Sequence, residues 1–465
     1  MSHSLLNQVK AWLKTHEQDL LADTIGILKI PSIEADAVSN APYGPANRAA
    51  LDFSLNRAKS FGMKTVDLEG HLGYAEFGSG DKLILSLGHL DVVPVGPGWK
   101  HEPFGAELDG GYIYARGAVD DKGPTMASFY AMRAIQQCWS DAPVRFRQAF
   151  GCDEESGFGC VERYMQTEEA PTFGVAPDSG WPLYHAEKGI TNLEIEVALP
   201  TGGFRLTSVA GGQRPNIVID SCQAEIHVDP SVGEEVKAKL ADSWDKNISF
   251  SWQGETLRVE AVGKAAHGST PFVGDSAAIR VFRFLNEIAP LSDQPFYEEL
   301  FSICAIGGAG LGISGSDDIS DDLTSNLGIV ATDTGRINLL FNIRYPVTWT
   351  GELLEEKCRK QLKTLKNDFK LVVSRNSPPL YFPLDHPMVK VITDVYEEET
   401  GERRQPGTMG GGTYARAVPN TVSIGTGWEG DGGAHETDER LKIDHLFRMS
   451  QIYAHIFLEL ATLAQ

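Results

Sequence analysis

With 465 residues the chain is about three times the length of a typical single domain, so two or three cores are expected, and 42% hydrophobic with 22% charged residues is the composition of a globular protein. Asp and Glu total 63 against 41 Lys and Arg, a net charge of −22, which repels phosphate backbones; no basic stripe offsets it, and nucleic acid is excluded as a partner. The six cysteines form no CxxC pair, which argues against a disulfide scaffold or a thiolate zinc site.

Leu5, Leu6, Val9, Trp12, Leu13, Leu20 and Leu28 recur at helical intervals until Pro31, predicting one or two amphipathic helices at the start. Charges interrupt this segment, so it lacks the apolar core of a signal peptide. No apolar run reaches the roughly 18 to 20 residues of a membrane helix. The expectation is a cytoplasmic protein with no membrane partner. A helix is predicted over 47–61, then strands over 72–77, 83–87 and 112–115. A helix over 122–139, a strand over 146–151, a helix over 159–165 and a strand ending at Asp178 follow. This alternation predicts an α/β domain with a largely parallel central sheet and flanking helices.

Beyond Lys188 the pattern changes. Ile190, Leu193, Ile195 and Val197 open a region of alternating strands, with others over 224–228, 257–262 and 337–343. Helical patterns over 233–244, 275–288 and 351–365 lie between them, predicting an α+β region on antiparallel sheets. From His386 a helix resumes, followed by a buried strand over 422–425 and a closing helix over 441–463. The simplest arrangement is a discontinuous first domain, residues 1–187 and 381–465, interrupted by an inserted domain, residues 188–380.

Four acidic or histidine clusters follow predicted strands of the first domain: LSLGHLDVVP (His89, Asp91), ARGAVDDKGP (Asp120, Asp121), FGCDEESGFG (Asp153, Glu154, Glu155) and VAPDSGW (Asp178). Strand ends of an α/β sheet share one crevice, so the clusters are expected to converge. Carboxylates gathered there cannot all stay ionised without protons or metal ions. Imidazole and carboxylate without thiolate suit zinc, manganese or cobalt. A second histidine source is GWEGDGGAHETDE (His435). Singly, each cluster reads more readily as a structural pair or a solvated loop; the ordered set of four gives the weight. GTGWEG at 425–430 matches GxGxxG, but Asp431, Gly432 and Gly433 follow instead of a helix start, and neither HExxH nor GxSxG occurs.

The ordered set His89-Leu-Asp91, Asp120-Asp121-Lys-Gly, Asp153-Glu154-Glu155, Asp178 and AHETDE resembles the M20 group of co-catalytic metallopeptidases. GHLDVVPVGPGW and TMGGGTYAR are similar to its PepV-type dipeptidases. The resemblance implies two divalent metal ions, zinc first with manganese or cobalt as alternatives. Asp120 would bridge them, His89 and Asp178 completing one site and Glu155 and His435 the other. Glu154 would be the catalytic carboxylate, and Asp91 would accept from the other ring nitrogen of His89 and fix its tautomer. The Asp120–Asp121 peptide would be cis. From the inserted lid domain, His267 in GKAAHGSTP would reach across the cleft to stabilise the oxyanion with help from Asn216. Arg344 would hold the substrate's C-terminal carboxylate with the glycine run Gly410, Gly411 and Gly412. The implied activity is hydrolysis of unmodified L-dipeptides by a metal-activated bridging water. The alternative within the group is removal of an N-acyl or N-succinyl group from an amino acid. A non-catalytic binding protein of the same fold would lack a ligand or Glu154, and none is missing. The size of the insert favours a monomer over a homodimer, because it would supply His267 within one chain.

Overall fold

The computed structural model describes residues 3–242 and 245–465, and the chain divides into two compact units. The first runs as far as His185 and resumes over Phe382–Gly407 and Gly412–Gln465; the second comprises Ala186–Tyr381 with Thr408–Gly411. Met1, Ser2 and the predicted helix end at Trp244 lie outside the described residues.

The first unit is built on a mixed sheet whose centre is parallel. Strands Arg145–Gly151, Leu83–His89, Phe173–Ser179 and Thr421–Gly425 run parallel in that order. Leu72–Phe77 and Lys64–Asp67 add antiparallel strands beyond Arg145–Gly151, and Leu183–Glu187 pairs antiparallel with Thr421–Gly425 on the other side. Every residue of Leu83–His89 is buried, as a strand covered on both faces requires, and its sequence LILSLGH is accordingly apolar without alternation. The predicted strand over 112–115 is instead part of a separate three-stranded sheet, where Tyr112–Tyr114 pairs with Glu107–Asp109 and Arg440–Lys442.

Helices Lys122–Cys138 and Ile443–Ala464 share this unit's core. Met126, Phe129, Tyr130 and Ile135 of the former and Leu446, Met449, Ile452, Tyr453 and Phe457 of the latter are all essentially inaccessible. Side chains of this size contribute about 1.5–3 kcal/mol each on burial. The closing helix is further tied down by a carboxylate: Glu399 of helix Pro387–Thr400 accepts from Lys10 Nζ (2.7 Å) and lies 2.5 Å from His455 Nδ1. Burial opposes ionisation of Glu399, but the hydrogen bonds and charges of His455 and Lys10 hold its carboxyl below the usual range. A depressed carboxylate stabilises the fold above its unfolded pKa and loses that contribution as pH falls through the folded value. Glu399→Gln should therefore cost about 2 kcal/mol at neutral pH. Thermal melts of both proteins from pH 7 to pH 3 should show the gap closing on the acid side.

The second unit is an eight-stranded antiparallel sheet in the order Ile248–Gln253, Thr256–Val262, Ser221–Val228, Phe204–Gly211, Thr324–Asp333, Arg336–Tyr345, Gly189–Ala198, Lys370–Ser377. Leu193, Ile195 and Val197 alternate inward along Gly189–Ala198, and Ile337, Leu339, Phe341 and Ile343 do so on its neighbour. Helix Ala277–Ile288 packs Val281, Phe282, Leu285 and Ile288 into the same core. Among the described residues no helix is long and apolar enough to cross a membrane.

Candidate metal centre

The first unit assembles the acidic clusters at one edge of its parallel strands. His89 is the last residue of Leu83–His89, Glu154 and Glu155 follow the end of Arg145–Gly151, and Asp178 lies at the end of Phe173–Ser179. Asp120 arrives on the turn before helix Lys122–Cys138, through a cis Asp120–Asp121 peptide. Gly88 makes this approach feasible: a Cβ there would sit 1.9 Å from Thr125 Oγ1, so only glycine lets the helix start come this close. Asp121 can then accept from the His89 amide (3.1 Å) and from Thr125 Oγ1 (2.9 Å).

Asp120 stands between two imidazoles. Its Oδ1 is 2.9 Å from His89 Nε2 and its Oδ2 is 3.0 Å from His435 Nε2, which is also 3.0 Å from Glu155 Oε1. Donor atoms of His89, Asp120 and Glu155 lie within 4.8 Å of one another, and so do those of His89, Glu154 and Asp178. All five ligands inferred from the sequence, together with Glu154, thus fall in one neighbourhood.

Asp91 departs from expectation in its atoms. His89 Nδ1 lies 2.9 Å from the main-chain carbonyl of Asp91, while the carboxylate is 3.6 Å away. The two-residue spacing lets the ring fold back onto the chain, and the carbonyl takes the role assigned to the carboxylate. A carbonyl can only accept, so Nδ1 carries a proton, and in the neutral ring the Nε2 lone pair faces the cluster. The Asp91 carboxylate accepts instead from the amides of Glu154 (2.9 Å) and Glu155 (3.0 Å), fixing the turn that presents both glutamates.

The electrostatics call for cations. Burial and the charge of Asp178 push the Glu154 carboxyl well up, and burial and the charge of Asp120 do the same to Asp178. Burial also raises Glu155, against the hydrogen bond from His435. Asp120 alone is held low: burial opposes its ionisation, but hydrogen bonds from His435 and His89 prevail. At 2.9 Å, His89 Nε2 and the Asp120 oxygen must share either a proton or a metal ion. Nitrogen and oxygen donors of this kind, with a carbonyl orienting the imidazole from behind, fit borderline divalent metals.

Sequence reasoning assigned no role to Arg116, Tyr414 or Glu439. Glu439 is fully buried and accepts from the Asp120 amide (3.2 Å); the only signal was its place in AHETDE. The Tyr414 hydroxyl accepts from the Asp153 amide (3.1 Å), next to Glu154, and had no signal beyond its glycine-rich neighbours.

The remaining candidates lie in the second unit, apart from Gly412. His267 is exposed, with Nδ1 2.7 Å from Ser269 Oγ, and its loop is joined to that of Asn216, whose carbonyl accepts from the Gly268 amide (2.7 Å). Arg344 is buried; its Nε donates to Asn342 Oδ1 (2.8 Å) and a terminal nitrogen to the Gly410 carbonyl (3.0 Å). Gly410 and Gly411 belong to the second unit and Gly412 to the first, so the glycine run is where the chain passes from one to the other.

Comparison with known proteins identifies the family. The family model described as peptidase family M20/M25/M40 matches residues 85–459. "Putative dipeptidase YtjP" of Bacillus subtilis is 35% identical over 459 residues, covering 96% of this chain and 98% of that protein. A "Putative dipeptidase" of Staphylococcus epidermidis is 32% identical, covering 94% and 96%. Among solved structures, human carnosine dipeptidase 1 (TM-score 0.57, 16% identity, 98% and 99% covered) shares the fold. Dug1p of Saccharomyces cerevisiae does as well (TM-score 0.58, 17% identity, 99% of each chain). With a family match across most of the chain and full-length relatives above 30% identity, the protein belongs to peptidase family M20/M25/M40 and is a metallopeptidase of that family.

Proposed function

We propose that the protein is a metal-dependent dipeptidase that hydrolyses unmodified L-dipeptides, with two divalent ions, zinc first, held by the first unit. The observation that carries this is the pair of overlapping donor groups joined by His89, with Asp120 facing both imidazoles. The dipeptidase names of the full-length relatives support the substrate class. His89 and Asp178 would hold one ion, Glu155 and His435 the other, and Asp120 would contribute to both. When bound, such ions would supply Lewis acidity, which lowers the pKa of water and polarises a scissile carbonyl.

Glu154 takes the proton released in the attack and returns it to the leaving amine. Its environment suits that task, because burial and Asp178 raise its affinity for the proton it must hold between the two transfers. The second unit is the lid domain. Its His267 and Asn216 stabilise the developing oxyanion, and Arg344 with the glycine run at 410–412 captures the C-terminal carboxylate. The Arg344 bond to the Gly410 carbonyl holds the first glycine of that run beside the guanidinium.

The test is initial hydrolysis rates for a free dipeptide and its N-acetyl and N-succinyl counterparts, with Zn²⁺ or Mn²⁺ and with chelator. The free dipeptide should be cleaved at least about tenfold faster than either, since a pocket that accepts an ammonium would reject a neutral or anionic N-terminus. Chelator should abolish the activity. Preference for an acylated compound would overturn the dipeptidase reading in favour of a deacylase.

A further inference from the structure

We infer that Arg116 and Glu439 are positioning residues that hold Asp120 and His435 in register, so that this buried ion pair sets the affinity of the His435 half of the metal centre. The inference rests on the metallopeptidase reading above. Both side chains are essentially inaccessible, and Arg116 donates to Glu439 Oε2 at 2.8 Å. Each member then uses its other atoms on one side of the centre. Glu439 Oε1 accepts from the amides of Val119 (2.8 Å) and Asp120 (3.2 Å). Arg116 donates to the carbonyls of Glu436 (3.2 Å) and His435 (3.4 Å). The pair therefore fixes the main chain of Asp120 on one side and that of His435 on the other.

His435 needs such restraint. Its φ of 64° lies in the left-handed region that non-glycine residues avoid, yet glycine cannot replace it because the imidazole is the ligand. The side chain itself is about half exposed, so packing does little to hold it. What holds this residue is its main chain: a guanidinium on its carbonyl, with the next carbonyl bonded to the same group. Arg is suited to the task because its planar fork reaches a carboxylate and two carbonyls at once, which an ammonium on a flexible stem does not. The Trp99 ring lies 5.2 Å from the guanidinium carbon and backs its face. Such ion pairs are weak evidence for stability, because desolvation offsets the attraction. Their geometric fixity is the clearer reason for one here.

The experiment uses Co²⁺ alone as probe, titrated into metal-free full-length protein and followed by its visible absorption. Wild type should take up two ions. Arg116→Lys, which keeps the charge opposite Glu439 but lacks the fork, should weaken uptake of one of them by about 10- to 100-fold. His435→Ala should weaken the same ion, and the double variant should be no weaker than His435→Ala, because Arg116 itself bonds the main chain on the His435 side while Glu439 keeps its bonds to the Val119 and Asp120 amides. Glu439→Gln, nearly isosteric, provides a second route to the same loss if the lysine variant does not fold. Losses that add in the double variant, or wild-type affinity in both single variants, would overturn the positioning role while leaving the metallopeptidase reading intact. Failure of wild type to bind Co²⁺ would overturn both.

Discussion

Glu154→Gln is expected to lower kcat by about 10²- to 10⁴-fold, the range associated with a positioned general base, while the protein still binds two equivalents of divalent metal. The amide keeps the volume and one acceptor oxygen but cannot take a proton, so the loss belongs to proton transfer. Asp91 presents Glu154 and Glu155 from a single turn through their amides, and the substitution leaves those bonds in place. Metal analysis beside steady-state kinetics decides the matter. Metal lost along with activity would show that Glu154 is a ligand, as its nearness to His89 and Asp178 allows, and would exchange its role with that of Glu155.

Asp120→Asn should have the larger effect on metal. Its two oxygens face separate imidazoles, and hydrogen bonds from both keep it ionised where its neighbours are pushed toward protonation. On the proposed assignment, removing that charge takes an anionic donor from both halves of the centre. Losses behind a metal site reach about 10- to 100-fold, so loss of a shared donor should exceed about 100-fold in affinity. A ligand at 100 times its Kd stabilises a fold by about 2.7 kcal/mol, so saturating Mn²⁺ or Zn²⁺ should raise the Tm of the wild type clearly. The Asn variant should melt at the same temperature with and without metal. An undiminished metal-dependent shift would show that Asp120 is dispensable.

Four residues of the cluster could be read because they follow strands, where an α/β sheet places its crevice: His89 after LILSLG, Glu154 and Glu155 after RFRQAFGCD, Asp178 after FGVAP; Asp120 and His435 stand in turns with no such run before them. Less could be read where the relevant contact is atomic or remote. The His89-x-Asp91 spacing was visible, but nothing in it distinguishes carbonyl from carboxylate as the imidazole's partner. Arg116 and Glu439 meet from distant parts of the chain, and a buried ion pair of that kind has no local periodicity. Ile248–Gln253 escaped notice for a different reason. It is a sheet edge, largely exposed along its length, and so lacks the inward alternation that marked Gly189–Ala198. The strand Leu183–Glu187, buried at four of five positions, is a short run with no alternation to announce it.

The division of the first unit along the chain governs the order in which it can be made. Synthesis at about 5–20 residues per second separates His185 from Gly412 by roughly 10 to 45 s. Throughout that interval Phe173–Ser179 lacks its parallel neighbour Thr421–Gly425, and helix Lys122–Cys138 lacks the closing helix Ile443–Ala464. The second unit, contiguous apart from four residues, emerges almost whole in the meantime. The nascent first unit therefore waits on the ribosome with an open sheet edge and an uncovered apolar helix face, the surfaces on which chaperones act. Because His435 follows the second unit along the chain, any ion that it helps to hold can be bound only after that unit has been made.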